Sequence, residues 1–295
     1  MSDKEKLPQI GFIGTGNIGA PIIRSMLRGG YPVAVWNRTP ARYADLVAAG
    51  ATAMATPREL AAKCDILCAM LVEAAHLDAL LDGPDGILAG IKPKSVFIDM
   101  ATSAPKHAQW LEGIFAAKSV AALDVPVQGG VKAAADGTLT VMVGGSKEAY
   151  DRVLPLLQAI GTKVVYVGAA GSGQVTKLAH QVVLAVTLEA IAEAFALVKT
   201  FGADQAAVRE VLMNGLASGP IMKNSAHRIV ARDFTPGRPL WLYEKDRTHL
   251  ADTLAGTSMK LPIAHAAFER IHQAVESGNG DRDEMVIYTL LDPDK

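Results

Sequence analysis

The amino-acid sequence predicts an α/β protein in which a doubly wound, mostly parallel sheet is followed by an all-helical C-terminal domain. From residue 9 to about 166, short runs rich in Val and Ile alternate with Ala- and Leu-rich segments, a pattern typical of strands joined by crossover helices. After residue 168 only helical patterns remain. The change in composition at Gly168 predicts two domains, residues 1–167 and 168–295.

Each predicted element follows from a local pattern. The predicted strands are QIGFIG, PVAVW, CDILCAML, SVFIDM, VAALDVP, LTVMVGG and KVVYVG. The predicted C-terminal helices span residues 173 to about 200, about 204–214, 246–255, 261–277 and 283–291. The first of these helices directly follows the glycine-rich segment GAAGSG, so we expect an interdomain cleft to be part of the fold.

Composition excludes several classes of function. The chain has 295 residues, half of them hydrophobic, with 29 Lys and Arg against 30 Asp and Glu. This near-neutral balance without basic blocks argues against nucleic acid or an anionic membrane as a partner. Cys64 and Cys68 lie in a strand-like run, which favours core residues over redox or metal roles. The histidines form no ligand-spaced cluster, so no metal is expected.

The first residues and the longest apolar run predict a soluble, cytoplasmic protein. The first residues, MSDKEKLPQ, lack the pattern of a signal peptide. The longest apolar run, VVLAVTLEAIAEAFALV, contains Glu189 and Glu193. Charged residues within the run favour a buried helix over a membrane span.

The segment GFIGTGNIGAPIIRSML places three glycines, Gly14-x-Gly16-x-x-Gly19, between a strand and a helix. The first glycine permits a tight turn, the second lets a pyrophosphate approach the backbone, and the third allows close packing of helix on strand. The alternative is a purely structural turn. The α/β context favours a dinucleotide-binding Rossmann domain, with predicted cofactor contacts at Gly14, Gly16, Asn17, Ile18 and Gly19.

The end of the second predicted strand indicates which dinucleotide is bound. An NAD site usually has an acidic residue here, whereas this strand ends in Asn37-Arg38-Thr39 and Asp45 falls within the next helix. Arg38 and Thr39 are suited to a ribose 2′-phosphate, with help from Arg42. The alternative for Arg38 is a solvated surface side chain. We therefore predict NADP(H), with Asn37, Arg38 and Thr39 as contacts.

Together with the segments LDVPVQGGVKAAADGTLTVMVGG and GAAGSGQVTKLAHQ, this turn resembles the β-hydroxyacid dehydrogenase family. That family includes 3-hydroxyisobutyrate dehydrogenases, tartronate semialdehyde and glyoxylate reductases, and threonate dehydrogenases. The resemblance covers nearly the whole chain. It implies hydride transfer between a nicotinamide cofactor, NADP(H) from the residues after the second strand, and a small hydroxy or oxo acid, and it implies a homodimer or homotetramer.

The family's substrate motif, Asp-x-Pro-Val-Ser-Gly-Gly, is similar to residues 124–130, DVPVQGG. Consecutive glycines after a strand expose backbone N–H groups, which can bind a carboxylate. The resemblance therefore assigns substrate binding to Gln128, Gly129 and Gly130. Gln128 replaces the usual serine, so the sequence does not identify the acid, and a simple Gly-Gly turn is the alternative reading.

The family's catalytic motif, Gly-x-x-Gly-x-Gly-x-x-x-Lys, fits residues 168–177 and implies that Lys177 is the catalytic lysine. An ammonium group can stabilise and protonate a developing alkoxide. His180 and Gln181 follow three and four residues later, on the same helical face, similar to the threonate dehydrogenase branch. Both are predicted substrate contacts, with His180 as an alternative proton donor.

Three further motifs resemble other segments of the family, and the last two of them are the weaker matches. LYEKDRTHLA is similar to its Lys-Asp-Leu motif, which implies that Lys245 lies beside the cofactor and the active site. A second cation such as Lys245 near Lys177 would lower the pKa of Lys177. The alternative for Lys245 is an ion pair with an acidic neighbour. DMATSAP implies a contact from Thr102, and MLVEAA implies contacts from Leu71 and Val72.

Two rival functions remain open. Imine reductases share this architecture but usually have another residue where Lys177 stands, and a non-catalytic NADP-binding relative would tend to lose the lysine. A 6-phosphogluconate dehydrogenase is disfavoured, because its helical domain is much larger.

Overall fold

The computed structural model describes residues 7–292, which form two compact units. The first unit ends at Lys177 and the second begins at Leu178.

All nine strands of the sheet lie in the first unit. They are β1 (Ile10–Ile13), β2 (Val33–Trp36), β3 (Thr52–Ala53), β4 (Ile66–Ala69), β5 (Val96–Asp99), β6 (Ala121–Asp124), β7 (Val127–Gln128), β8 (Leu139–Gly144) and β9 (Gly161–Gly168). The seven predicted strands are confirmed. The two short strands β3 and β7 were not predicted.

The strand order is β3-β2-β1-β4-β5-β6-β8-β7, and β9 pairs with β8. Strands β1 to β6 are parallel, as are β8 and β9, whereas β8 runs antiparallel to β6 and β7. The chain moves outward in one direction from β1 to β3 and in the other from β4 onward. This arrangement confirms the doubly wound sheet, and its switch point lies between β1 and β4, where such sheets bind ligands.

Helices cover the sheet on both faces. They are α1 (Gly19–Arg28), α2 (Ala44–Ala48), α3 (Pro57–Lys63), α4 (Ala74–Asp78), α5 (Ile87–Gly90), α6 (Pro105–Ala116), α7 (Gly130–Asp136) and α8 (Lys147–Gln158), with a 3₁₀ turn at Pro40–Tyr43. Successive strand residues point to opposite faces, so Phe12 and Ile13 belong to different hydrophobic clusters. Cys64 and Cys68 are buried core residues, as predicted. Burial raises the pKa of the Cys64 thiol to about 12 and that of Cys68 further still.

The remaining helices are α9 (Ser172–Thr200), α10 (Gln205–Asn214), α11 (Pro220–Asn224), α12 (His227–Ala231), α13 (Leu242–Leu254) and α14 (Pro262–Ala274). A π-helical segment at Val275–Asn279 and a 3₁₀ segment at Glu284–Leu290 follow. The described part of the second unit contains no strand, which confirms the all-helical prediction. The prediction was incomplete, because α11 and α12 were missed and α13 begins four residues before the predicted start.

Among the described residues, α9 is the one helix long and apolar enough to cross a membrane, by length and composition alone. Its side chains instead build the core of the second unit, where Leu188 and Phe195 are fully buried. Glu189 is also buried, and Arg270 donates a 2.9 Å hydrogen bond from Nε to its Oε2. This packing agrees with the predicted buried helix.

Candidate functional site

In the glycine loop after β1, Gly14 and Gly19 lie close against the backbone of other residues, whereas Gly16 has open space beside it. Gly14 has a φ of +94°, and a Cβ atom there would collide with the carbonyl oxygen of Met70. A Cβ at Gly19 would collide with the carbonyl oxygen of Gly14, whereas a Cβ at Gly16 would meet nothing within 4 Å. Packing within the protein thus explains the outer two glycines. The open space at Gly16 suits a bound pyrophosphate.

A cavity of about 400 Å³ lies at the carboxyl ends of β1, β2 and β4. It is lined by seven of the predicted cofactor residues: Gly14, Gly16, Asn37, Arg38, Thr39, Leu71 and Val72. The structure does not place Asn17, Ile18, Gly19 or Thr102 among the lining residues. The cavity is therefore formed by the loop and strand ends that the dinucleotide motif predicts.

The side chain of Asn37 holds the glycine loop in place. Its Oδ1 accepts a 3.4 Å hydrogen bond from the backbone N–H of Thr15, and its Nδ2 donates to the carbonyl oxygen of Thr39 at 3.1 Å. The oxygen and the nitrogen of the Asn37 amide therefore link two backbone segments beside the cavity, at Thr15 and at Thr39.

Two arginine side chains, Arg38 and Arg42, follow the end of β2 and line the cavity. Arg38 and Arg42 are exposed, and neither guanidinium group forms a hydrogen bond or ion pair with any residue between 7 and 292. No Asp or Glu of the described chain lines the cavity. The cavity can accordingly accept an anionic group at this position.

Sequence reasoning missed two lining residues, Trp36 and His76. Trp36 is the last residue of β2, and its Nε1 donates to the carbonyl oxygen of Ala55 at 3.2 Å. His76 lies on α4, directly after β4. The sequence could have indicated Trp36 and His76 by their positions, because Trp36 ends β2 and His76 follows β4, close to the switch point of the sheet.

The side chain of Lys177 reaches the predicted substrate segment within the first unit. Its Nζ donates a 3.0 Å hydrogen bond to the carbonyl oxygen of Val127, in β7. Gln128 follows in the same strand and is half-buried, and Gly129 and Gly130 are exposed. The structure thus brings the predicted catalytic and substrate-binding residues of this unit together.

The turn after Gln128 requires glycine. Gly129 has a φ of +129°, and a Cβ there would lie 2.5 Å from the Cβ of Ala133. Gly130 has a φ of +70°, with open space beside it. Both conformations are costly for residues that carry a Cβ.

Asp124 holds the start of α9. Its Oδ1 accepts from the backbone N–H of Gly171 at 2.9 Å, and its Oδ2 accepts from that of Gln174 at 2.8 Å. Burial raises the pKa of this carboxyl group, an effect that the backbone N–H donors partly oppose. The motif residue Asp124 therefore fixes the helix that carries Lys177.

Gln174 ties the same helix to the loop around Thr102. It is fully buried, its Nε2 donates to the carbonyl oxygen of Ala101 at 2.8 Å, and its Oε1 accepts from the backbone N–H of Ser103 at 2.9 Å. Thr102 is half-buried between these two bonds. Sequence reasoning missed Gln174, because a lone glutamine in a glycine-rich segment has no recognisable pattern.

The other predicted site residues belong to the second unit. Gln181 on α9 is buried, and its Nε2 donates to Oδ2 of Asp246, on α13. Its Oε1 has no hydrogen-bond partner among the described residues. His180 and Lys245 are partly buried, on α9 and α13 respectively.

Comparison with known proteins gives matches to two family models. Residues 9–168 match the model described as the NAD binding domain of 6-phosphogluconate dehydrogenase. Residues 171–291 match the model described as NAD-binding of NADP-dependent 3-hydroxyisobutyrate dehydrogenase.

Whole-length relatives show the same similarity. The chain is 31% identical to the NAD-dependent L-serine dehydrogenase of Pseudomonas aeruginosa, covering 97% of this chain and 99% of that protein. It is 32% identical to the L-threonate dehydrogenase of Cupriavidus necator, covering 96% and 95%. The structure of the Mycobacterium tuberculosis 3-hydroxyisobutyrate dehydrogenase with L-serine superimposes with a TM-score of 0.88 at 28% identity, covering 97% and 99%.

Proposed function

The chain belongs to the β-hydroxyacid dehydrogenase family, and from that membership we propose that it transfers a hydride between NADP(H) and a small β-hydroxy acid or the corresponding oxo acid. Its place among the NAD(P)-binding oxidoreductases follows from the two matched models and from relatives named as dehydrogenases. The choice of cofactor, the role of Lys177 and the substrate class are proposals, which residues of this chain support.

The observation that carries the proposal is the position of Lys177 beside Val127. The 3.0 Å bond from its Nζ puts an ammonium group at the strand that leads into Gln128, Gly129 and Gly130. When bound, the nicotinamide supplies or accepts the hydride. In reduction, Lys177 donates a proton to the oxygen that develops negative charge. In oxidation, the neutral amine accepts the hydroxyl proton.

The acid group of the substrate binds at the glycine turn. Gly129 and Gly130 are exposed and carry no side chain that would block an approaching carboxylate. Their backbone N–H groups and the Gln128 amide supply donors, which suit an anion. Lys177 lies beside the same segment and adds a positive charge.

The cofactor preference rests on Arg38, Thr39 and Arg42. Two exposed guanidinium groups at the end of β2, with no carboxylate among the described lining residues, favour a ribose 2′-phosphate over a bare 2′-hydroxyl. One relative is named for NAD and one matched family model is described by NADP, so the choice of cofactor is a proposal about the present chain.

We place this activity in the cytoplasm, in a homodimer or homotetramer. Exposed apolar side chains on and after α9, such as Val183, Leu197 and Phe201, support self-association, because water-exposed apolar surface is stabilised by burial. Size-exclusion chromatography with light scattering tests the oligomeric state.

A screen of purified protein tests the activity. NADPH consumption is followed with small aldehydo and keto acids, and NADP⁺ reduction with β-hydroxy acids. Lys177→Ala is measured beside the wild type as the matched low-activity control. We expect turnover on acids, and turnover at least about 100-fold lower with the variant. Turnover on a cyclic imine but on no oxo acid would instead support an imine reductase. Tight NADPH binding without any turnover would support a non-catalytic protein.

A further inference from the structure

Another cavity, of about 220 Å³, lies at the opposite edge of the sheet from the nucleotide cavity. Asp65 directly precedes β4, and residues 92–95 directly precede β5. Because β4 and β5 are parallel neighbours, the segments before them meet at the amino ends of the strands. The nucleotide cavity lies at the carboxyl ends, so a ligand at one edge does not occupy the other.

Positive side chains dominate this cavity. Of the described residues that line it, Lys92, Lys94 and Arg152 are cationic, and Asp65 is the one acid. The whole chain is nearly neutral, with 29 Lys and Arg against 30 Asp and Glu. The cavity therefore has two positive charges in excess, which departs from the balance of the chain.

Asp65 is bound to partners within the protein. Its Oδ2 accepts a 3.0 Å hydrogen bond from the backbone N–H of Gln9, and its Oδ1 accepts one of 3.0 Å from Nζ of Lys92. The bond from Gln9 is the larger of the causes that lower the pKa of the Asp65 carboxyl group, and Lys92 adds to it. Asp65 and Lys92 offset each other, so Lys94 and Arg152 supply the excess charge.

The backbone of Lys94 is held in a strained conformation. Its φ is +67°, in the left-handed region that favours glycine. Its N–H donates to the carbonyl oxygen of Ser119 at 2.7 Å, and its carbonyl oxygen accepts from Nη1 of Arg152 at 2.5 Å. Glycine would adopt this φ without strain, yet the position carries a lysine. Strained residues concentrate at functional sites, which points to a role for the Lys94 ammonium group.

Arg152, an exposed residue of α8, supports the Lys94 loop and can also bind a ligand. A guanidinium group carries five N–H donors, so the bond to Lys94 leaves further donors. These donors are arranged in a planar fork that matches the oxygens of a phosphate. The ammonium group of Lys94 complements this fork as a compact positive charge.

We propose that this cavity binds a phosphate group, either as free phosphate or as the phosphate of a small ester. A phosphate monoester carries about −1.5 to −2 charges at pH 7, which matches the excess of two positive charges. The cavity has roughly half the volume of the nucleotide cavity, so it suits a small ligand rather than a dinucleotide. This site is independent of the proposed hydride transfer.

Calorimetric titration of the full-length protein with inorganic phosphate at low ionic strength tests the proposal. We expect saturable binding that acetate, with a single charge, does not reproduce. Glycerol 3-phosphate distinguishes the two sources of the phosphate group. A lower Kd for the ester would identify an ester as the ligand, and a lower Kd for inorganic phosphate would identify the free ion. Acetate binding as tight as phosphate binding would overturn the inference.

Two variants remove one charge each and keep the backbone of the loop. Lys94→Gly keeps a residue that adopts φ +67° without strain, and Arg152→Gln keeps an amide donor for the carbonyl oxygen of Lys94. Each should raise the Kd for phosphate by about tenfold or more, because a hydrogen bond to a charged group contributes about that factor. Urea denaturation checks that both variants are folded. Wild-type affinity in both folded variants would overturn the inference.

Two matched controls separate the site from backbone and net-charge effects. Ser119→Gly also changes a residue with a positive φ, +58°, but removes no charge. Lys163→Ala removes an exposed positive charge from β9, outside the cavity. Both should bind phosphate as the wild type does. A loss in Lys163→Ala equal to that in Lys94→Gly would assign the binding to net charge and overturn the inference.

Arg38→Ala distinguishes this site from the nucleotide cavity. The phosphate binding that Lys94→Gly removes should persist in Arg38→Ala. If phosphate affinity instead falls in Arg38→Ala and not in Lys94→Gly, phosphate binds in the nucleotide cavity and the inference is wrong. If no substrate is turned over with NADP(H) but Lys94→Gly still loses phosphate, the proposed function fails and this inference stands.

Discussion

Asp124 and Gln174 are joined by a hydrogen bond in which the carboxylate Oδ2 accepts from the backbone N–H at 2.8 Å. The side chain of Gln174 in turn forms hydrogen bonds with the backbone of Ala101 and of Ser103, the two neighbours of Thr102. A single buried carboxylate thus fixes both the helix that carries Lys177 and the loop that carries Thr102. Because the two predicted site residues share this support, changes at Asp124 should affect both.

Replacing Asp124 with asparagine should destabilise the first unit. An asparagine oxygen can replace one of the two acceptors, but its NH₂ group then faces a backbone N–H, so one buried donor is left without a partner. We expect a loss of about 1–3 kcal/mol in the free energy of unfolding, measured by urea denaturation at neutral pH. An unchanged midpoint would mean that the two N–H groups find other acceptors.

The same pair of proteins should show a pH dependence of known sign. Burial raises the pKa of Asp124 in the folded protein above the ordinary value of 3.8. At a pH between 3.8 and this raised pKa, the folded state therefore binds a proton more readily than the unfolded state. The stability of the wild type relative to Asp124→Asn should therefore fall as pH rises through this window and level off above it. Urea midpoints of both proteins across the acid range test this. A difference that grows with pH would contradict the sign.

Replacing Arg38 with alanine should weaken NADPH binding selectively. A hydrogen bond to a charged group contributes about 1.5–3 kcal/mol, which corresponds to roughly 10- to 150-fold in Kd. NADH lacks the 2′-phosphate, so its Kd should change little. Calorimetric titration with both nucleotides measures this. Lys163→Ala, which removes an exposed positive charge from β9 outside the cavity, is the control, and an equal loss in it would assign the effect to net charge.

Replacing Lys177 with alanine should reduce kcat by about 10² to 10⁴, the range for a positioned acid–base group. NADPH binding should be nearly unchanged. Lys177→Arg should restore little activity, because a guanidinium stays protonated and cannot act as the base. Stopped-flow turnover and nucleotide titration of the variants measure the two effects. Substantial activity in the arginine variant would show that charge alone is sufficient.

The neighbouring histidine decides how proton transfer is shared. His180→Ala should lose much less activity than Lys177→Ala, and mainly through KM, because we assign His180 to substrate contact. The pH profile of kcat for both variants is the measurement. If both variants lose activity equally, proton transfer belongs to the pair and the role of Lys177 must be revised.

The glycine turn offers a comparison between two alanine substitutions. Gly129→Ala forces a Cβ into a backbone with a φ of +129° and to within 2.5 Å of Ala133, so it should destabilise the fold by at least about 1 kcal/mol and lower kcat/KM. Gly113 is exposed in α6, with nothing within 4 Å of an added Cβ. Gly113→Ala should instead stabilise by about 0.5–1 kcal/mol, which thermal unfolding of both variants will show.

Sequence patterns predicted most strands of the first unit because these strands lie in apolar runs of at least four residues. Each of the seven predicted runs contains a strand of at least four residues, enough for a continuous hydrophobic run to be visible. The missed strands, β3 and β7, have two residues each and are defined by pairing with neighbours rather than by composition. In the second unit, α11 and α12 have five residues each, too few for a helical period to emerge.

Site residues were predicted where a residue type in a known motif has a recognised chemical role. They were missed where a residue's role depends on contacts with residues that are distant in the sequence. The glycine loop and the arginine after β2 were predicted from their order along the chain, and the cavity is lined by them. Gln174 reaches partners more than seventy residues away, and nothing near it in the sequence indicates that contact. The orientation of Gln181 likewise depends on Asp246, sixty-five residues further on.

The burial of Cys64 and Cys68 makes the protein convenient for fluorescence work. These are the only two cysteines in the sequence, and both thiols are buried with a raised pKa. Because maleimides and other alkylating dyes react with thiolates, the folded wild type should remain unlabelled. One cysteine introduced at a fully exposed position such as Leu216 would then carry a single dye, without first removing the native pair.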